Sequence, residues 1–371
     1  MKSLLKTTEY GTAPTILLSG IRGVGKTALL KKIKKELEEE YLIAYVDLTQ
    51  NYTYQIGNLN KNGLMEQFFN SWIIELNEKK LNPIAQKIKK VIKTKKIKLS
   101  DIMDVSGYPV PILESETNPK ELLDFVIELP QKIYDKNKDK IKGVIFIIDE
   151  FQALNDLGKN LKSFLWFFRS YIQNQKNVAY IFSGSVNSND SIIDKIAGPK
   201  GAFGGRVLSV KIEPFSKETV KTYLNKGLTN LKFSNDGFER FYKCTKGIPH
   251  YVNTFAKLLT KDTLLTEEMV KNEFINCLPF LADQLKQKWG GLTLREQKII
   301  ICLLEKPLKR KEIGDKFNQK SSSLSAPLNK LLNDGFLEIQ EDGKYAINEH
   351  ILKEWLKQEY KYKGVFPYRS E

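Results

Sequence analysis

The sequence predicts an α/β fold in which a parallel sheet carries helices on both faces, and two observations support this. Five short apolar, β-branched runs recur along the chain: Thr15–Ser19, Ile43–Leu48, Val144–Ile148, Val178–Ser183 and Val207–Ile212. Most are continuous rather than alternating, as expected of strands covered on both sides. Helical patterns separate them. Ala28–Glu40 puts Leu30, Ile33 and Leu37 on one face with lysines around it, and Asn160–Gln173 repeats the pattern with Leu161, Leu165, Phe168 and Ile172. Strand–helix alternation of this kind builds a doubly wound sheet.

The chain has 371 residues, enough for two or three domains with their own cores. The expected boundaries are an α/β core at 1–215, a helical lid at 216–287 and a third domain at 288–371. Residues 51–141 offer no convincing strand and read as a helical insertion in the core. Within it, residues 79–98 hold nine lysines and no acid. Leu81, Ile84, Ile88 and Val91 repeat there at helical spacing, the pattern of a basic amphipathic helix. After Pro214 the pattern is helical: Lys217–Asn225, Ser234–Cys244 and Pro249–Leu259. From Trp289 onward, Thr293–Leu304 reads as a helix opened by a capping box, Thr293 with Glu296. Lys309–Phe317 is a second helix, and Leu324–Asp334 a third that Gly335 closes. Phe336–Gln340 and Lys344–Ile347 then form a hairpin around Glu341, Asp342 and Gly343. Three helices and a two-stranded hairpin describe a winged helix.

Several classes are excluded. No run of eighteen apolar residues occurs, which removes a transmembrane helix. The N-terminus lacks a signal-peptide layout. Cys244, Cys277 and Cys302 form no CxxC pair, and two histidines leave too few ligands for a structural zinc. A reducing, cytoplasmic location follows as the expectation. The formal charge is 59 − 44 = +15. That excess suits an anionic partner, although a Lys- and Glu-rich surface also suits a thermophile's ion-pair networks.

The chemistry concentrates at a few points. Gly20-Ile21-Arg22-Gly23-Val24-Gly25-Lys26-Thr27 matches GxxxxGK[ST] in full and lies between a strand and a helix opening at Ala28. Its glycines let backbone N–H groups curl around a phosphate, and the helix N-terminus adds partial positive charge. Lys26 reaches the β- and γ-phosphates of ATP, or the β-phosphate of ADP, and Thr27 offers a hydroxyl to Mg²⁺. A rival reading is the dinucleotide fingerprint GxGxxA over Gly23–Ala28, with Asp47 as the ribose-binding acid. The phosphate-loop register and a second acidic strand oppose it. That strand, Val144–Ile148, ends in Asp149 and Glu150: Asp149 orients the Mg²⁺ shell and Glu150 activates the attacking water. The Val178–Ser183 strand leads into Gly184 and Ser185, so Ser183 or Ser185 is available to hold the water or the γ-phosphate. Arg206, after Gly204 and Gly205, is available to stabilise transition-state charge, best across a subunit interface. Pro249, after Gly247 and Ile248, is available to pack on the adenine and also suits the opening of a helix, two roles that are compatible.

Taken together, GIRGVGKT, IIDE, the serine-ended fourth strand, GGR before the fifth and the helical lid with GIP resemble an AAA+ ATPase. More narrowly they resemble the archaeal and bacterial branch near the origin-recognition and STAND ATPases, with a C-terminal winged helix. The resemblance implies a five-stranded parallel sheet with the first strand between the fifth and the fourth, ATP hydrolysis with Mg²⁺, and nucleotide-dependent self-association with Arg206 acting on a neighbour. It departs from the family where His250 replaces a sensing arginine, and where the N-terminal helix before the core is missing or very short.

DNA is the candidate output partner, through Lys320, Ser321, Ser322, Ser323 and Lys330 of the winged helix and through the basic stretch 79–98. The wing is poor in bases, with Lys344 beside Glu341 and Asp342. The expected function is therefore an ATPase driving a conformational or assembly switch on DNA or a protein partner. Two other readings stay open: a slow-turnover nucleotide-gated module, and a winged-helix regulator in which ATP is secondary.

Overall fold

The computed structural model describes residues 1–79, 99–105, 108–113, 119–185, 191–227, 230–259 and 262–369. The chain divides into two compact units. The first comprises Met1–Gly20, Lys26–Ser185 and Ser191–Ile212; the second includes Ile21–Gly25 and Glu213–Glu371.

The first unit opens with a short helix, α1 (Lys2–Lys6), and continues through β1 (Thr15–Ser19), α2 (Lys26–Leu37), β2 (Leu42–Asp47), α3 (Tyr52–Gln55) and α4 (Lys61–Glu78). Next come β3 (Leu99–Val105), β4 (Tyr108–Leu113), α5 (Pro119–Asn137), β5 (Val144–Asp149), α6 (Leu161–Ile172), β6 (Val178–Gly184), α7 (Ser191–Ala197) and β7 (Leu208–Lys211). The five strands expected from sequence pair in the order β2-β5-β6-β1-β7. Every pairing is parallel. β1 thus lies between the fifth and the fourth core strands, as the family resemblance implied. The same order excludes the dinucleotide reading, which needs β2 beside β1. Asp47 is used locally instead, accepting hydrogen bonds from the Thr49 amide (2.9 Å) and hydroxyl (2.6 Å).

Side-chain alternation sends the sheet residues to two separate cores. On one face Ile16, Leu18, Ile43, Ile145, Ile147, Ala179 and Ile181 pack with Leu30, Ile33 and Leu37 of α2 and with Leu5 of α1. The N-terminal helix is therefore present, short, and anchored by one buried leucine. On the other face Phe146 meets Phe68 and Trp72 of α4 at ring separations of 5.0 and 4.8 Å. Phe168 of α6 stands edge-on to Tyr180 at 5.7 Å. Each such aromatic pair adds about 0.5–1.5 kcal/mol beyond its burial.

One expectation for residues 51–141 needs correction. Helix α4 supplies the aromatic layer of the second face. The stretch is not wholly helical, since β3 and β4 form an antiparallel hairpin. Pro109 and Pro111 hid β4: proline disqualifies a central strand but fits a two-stranded ribbon, where both strands are edges. Of the basic stretch 79–98, only Lys79, which caps α4, is described; 80–98 lie outside the described residues.

The second unit contains α8 (Lys217–Gly227), α9 (Asn235–Thr245), α10 (Pro249–Leu258), α11 (Glu267–Leu281) and α12 (Asp283–Gly290), followed by α13 (Leu294–Cys302), α14 (Arg310–Lys316) and α15 (Ser325–Asn333). Strands β10 (Leu337–Ile339) and β11 (Tyr345–Ile347) pair antiparallel, and α16 (His350–Lys363) follows; two short parallel strands, β8 (Lys232–Phe233) and β9 (Leu264–Leu265), link α8–α9 to α10–α11. One apolar cluster runs from Val220 through Trp289 to Leu356. The capping box at the start of α13 is formed, with the Thr293 amide donating to Glu296 (2.8 Å) and the Glu296 amide to the Thr293 hydroxyl (3.3 Å). Three helices and a hairpin occur in the order the sequence predicts. The Lys330 side chain is half-exposed, and its ammonium pairs with the buried Glu296 carboxylate at 3.0 Å, which ties it to the capping network. Ser323 is likewise engaged, contacting the Arg295 guanidinium at 3.1 Å and donating to the Lys320 carbonyl at 2.9 Å.

Candidate active site

Parallel strands collect their carboxyl ends at one pole of a sheet, and the loops that leave them there carry the chemistry. Here Gly20 follows β1, Asp149 ends β5, Glu150 follows it, and Ser185 follows β6. Lys26, the first residue of α2, is buried at 5% exposure. Its ammonium donates to the Gly20 carbonyl at 2.9 Å and to the Ser185 hydroxyl at 3.1 Å. Thr27 donates its hydroxyl to Asp149 Oδ2 at 2.8 Å. Residues 122 positions apart therefore meet, as the phosphate-loop reading requires. Ala28 continues α2 directly behind Thr27.

Asp149 is held from three sides. Besides Thr27, the Tyr45 hydroxyl of β2 donates to Oδ2 at 2.7 Å, and the Glu150 amide donates to Oδ1 at 3.0 Å. Burial, then the Asp149 carboxylate, drives the Tyr45 phenol far above its ordinary range, so it is a permanent donor. Glu150 adopts a left-handed backbone, φ 52° and ψ 42°, which turns its side chain away from the line of β5. Its carboxylate accepts a hydrogen bond from Gln152 Nε2. Phe151 between them is buried against Phe182 at 4.6 Å and fixes the turn.

The two serines separate clearly. Ser185 touches Lys26, whereas Ser183 is fully buried in β6 and its hydroxyl finds no partner among the described residues. Arg206 is not brought to this pole. Leu208 pairs with Ile16 at the start of β1, so Arg206, two residues earlier, sits at the opposite, amino-terminal end of the sheet. There it donates to Gln173 Oε1 at 3.0 Å and lines a cleft of about 300 Å³ with Arg169, Lys176 and Gly11 to Thr15.

The central residues of the loop, Ile21, Arg22, Gly23, Val24 and Gly25, group with the second unit. Gly23 and Gly25 have φ of 78° and 97°, which a side chain resists. Within this unit the His250 amide donates to the Gly23 carbonyl at 3.1 Å, and a Cβ on Gly23 would lie 2.9 Å from the His250 Cβ. Pro249 occupies the first turn of α10, so its helix-opening role is realised. Burial, then Arg22, lowers the His250 pKa below its ordinary 6.5. The imidazole is neutral at physiological pH and is no substitute for an arginine's charge. Sequence reading missed Tyr45, Gln152 and Gly184. Tyr45 left a weak signal, lying two positions before Asp47 and hence on the same face of β2.

A parallel sheet ordered in this way, with the phosphate loop, the acidic strand end and a hydroxyl beside the loop lysine, is the arrangement of a P-loop ATPase domain. The chain belongs to the ATPase_2 family, an ATPase domain predominantly from Archaea, which matches residues 1–255. It is 26% identical over 211 residues to an uncharacterized ATP-binding protein of Methanocaldococcus jannaschii. That match covers 54% of each chain, so the chain spans about half the length of the curated relative. The Walker-type ATPase of Pyrococcus abyssi shares its fold, with a TM-score of 0.62 at 18% identity over 95% of this chain and 93% of that one. The Aeropyrum pernix ORC2 protein aligns over 97% and 92% at a TM-score of 0.49 and 13% identity.

Proposed function

We propose that this ATPase hydrolyses ATP with Mg²⁺ to drive an assembly switch, through the residues gathered at the carboxyl pole of the sheet. The observation that carries the reading is the convergence of Lys26, Thr27, Asp149 and Ser185. The amides of Gly20 to Ala28 cradle the phosphates, and Lys26 binds the β- and γ-oxygens. A hydroxyl and a carboxylate meeting at one point fit a hard cation that draws its remaining ligands from phosphates and water. In keeping with this, no cluster of three His, Cys, Asp or Glu among the described residues could hold a metal alone. Thr27 and Asp149 are the residues for it, and bound Mg²⁺ supplies charge neutralisation on the phosphate oxygens. Glu150 takes the proton of the attacking water, and Ser185 orients the γ-phosphate beside Lys26. Pro249 is assigned to the adenine.

Arg206 cannot serve the nucleotide of its own chain from the far end of the sheet, which supports action on a neighbouring copy. The mass of the protein in solution tests this. With ATP a larger assembly is expected than with ADP or no nucleotide, and Arg206→Ala should keep nucleotide affinity while losing roughly 10³-fold in turnover. A mass indifferent to nucleotide, or an unimpaired variant, refutes a switch built on Arg206.

For the output we assign a winged helix to 288–371, after a core at 1–215 and a lid at 216–287. DNA is the first candidate, through Lys320, Ser321 and Ser322, with Lys309, Arg310 and Lys311 exposed nearby. A DNA affinity that falls linearly with salt on logarithmic axes, at a slope of about −0.9 per phosphate contacted, is expected. Absence of such binding assigns the output to a protein partner. The neutral His250 favours a second reading, a slow-turnover nucleotide-gated module. Multiple-turnover rates with and without DNA separate the two. No helix among the described residues is long and apolar enough to cross a membrane. The three free thiols fit the cytoplasmic assignment.

A further inference from the structure

Gln152 stands where the proposed machinery does not use it, yet its surroundings are unusual. Its Nε2 donates to Glu150 Oε2. Its Oε1 is buried and has no hydrogen-bond partner among the described residues. The amide cannot be turned over, because that would set oxygen against carboxylate. An orphaned buried acceptor is destabilising, and a residue of the same volume without polar atoms would avoid that cost. Glu150, two residues earlier, carries a second local cost in its left-handed backbone. Stability alone would select neither. The space for the amide is also specific: a Cβ on Gly184, at the end of β6, would lie 2.6 Å from the side-chain Oε1 of Gln152, whereas the backbone nitrogen of Gln152, at 3.7 Å, would be in ordinary contact. The glycine therefore makes room for the side chain of Gln152 in particular.

We infer that Gln152 is a positioning residue for ATP hydrolysis, which holds the Glu150 carboxylate in its working orientation, and that Gly184 is glycine to let it do so. One oxygen of Glu150 is fixed by the amide, leaving the other to accept the proton of water. The inference rests on the assignment of Glu150 as the base. It separates Gln152 from the phosphate-binding residues, so its loss should appear in kcat and not in nucleotide affinity.

The test is a double-mutant cycle read by single-turnover hydrolysis and by direct nucleotide binding. Gln152→Met and Gln152→Ala are expected to lower kcat roughly 10- to 100-fold, the penalty of a reacting group displaced by about an ångström. ATP affinity should stay within about twofold. Gly184→Ala should show the same split, because its methyl group evicts the amide. In the Gln152→Ala background the added methyl has room, so the double variant should be no slower than Gln152→Ala alone. Unchanged kcat in both Gln152 variants, equal loss of binding and rate, or multiplying penalties in the cycle would each overturn the inference. Glu150→Gln is the control: normal turnover there removes the base assignment itself, whereas an inactive Glu150→Gln beside a fully active Gln152→Met removes only the role of Gln152.

Discussion

Lys26→Ala is expected to abolish productive ATP binding, raising the dissociation constant at least 100-fold. The lysine is buried at 5% exposure, and its ammonium is aligned by the Gly20 carbonyl and the Ser185 hydroxyl. Charge-assisted hydrogen bonds to phosphate are worth about 1.5–3 kcal/mol each, and two of them convert to two or more decades of affinity. The fold should survive, because the variant removes a desolvated charge rather than a packed apolar group. Calorimetric titration with ATP, alongside a thermal melt, checks both halves. A variant that still binds ATP at wild-type affinity overturns the phosphate-loop assignment.

Glu150→Gln is expected to give the opposite pattern: nucleotide affinity within about twofold of wild type and hydrolysis slowed by roughly 10²–10⁴, the contribution of a lost general base. The substitution keeps the side-chain shape, the contact to Gln152 and the Asp149–amide bond that orients the turn. Only the capacity to accept a proton is removed. Rapid-quench measurement of phosphate release from pre-bound ATP isolates the chemical step, and wild-type release would transfer the role of base to another residue.

These two residues were legible because they sit in contiguous motifs, where spacing along the chain is spacing in the site. GxxxxGKT announces its own geometry, and an apolar strand that ends in two acids has few structural uses. Other features resisted reading for definite reasons. The hairpin β3–β4 was masked by prolines that an edge strand tolerates. The pairing of Lys330 was not legible because its partner Glu296 lies 34 positions away on another helix. Ser183 and Ser185 could not be told apart until the register placed one inside the sheet and the other at its end.

The amino-acid sequence by itself determined the strand and helix alternation, the phosphate loop, the acidic strand end and the order of the C-terminal helices and hairpin. All of these depend on local propensity or on residues adjacent in the chain. The tertiary structure alone decided that Tyr45 steadies Asp149, that Gly184 admits Gln152, and that Arg206 stands at the pole of the sheet opposite Lys26. Those facts follow from strand order and register. These are fixed by burying both faces of the sheet at once, and no single segment carries that information.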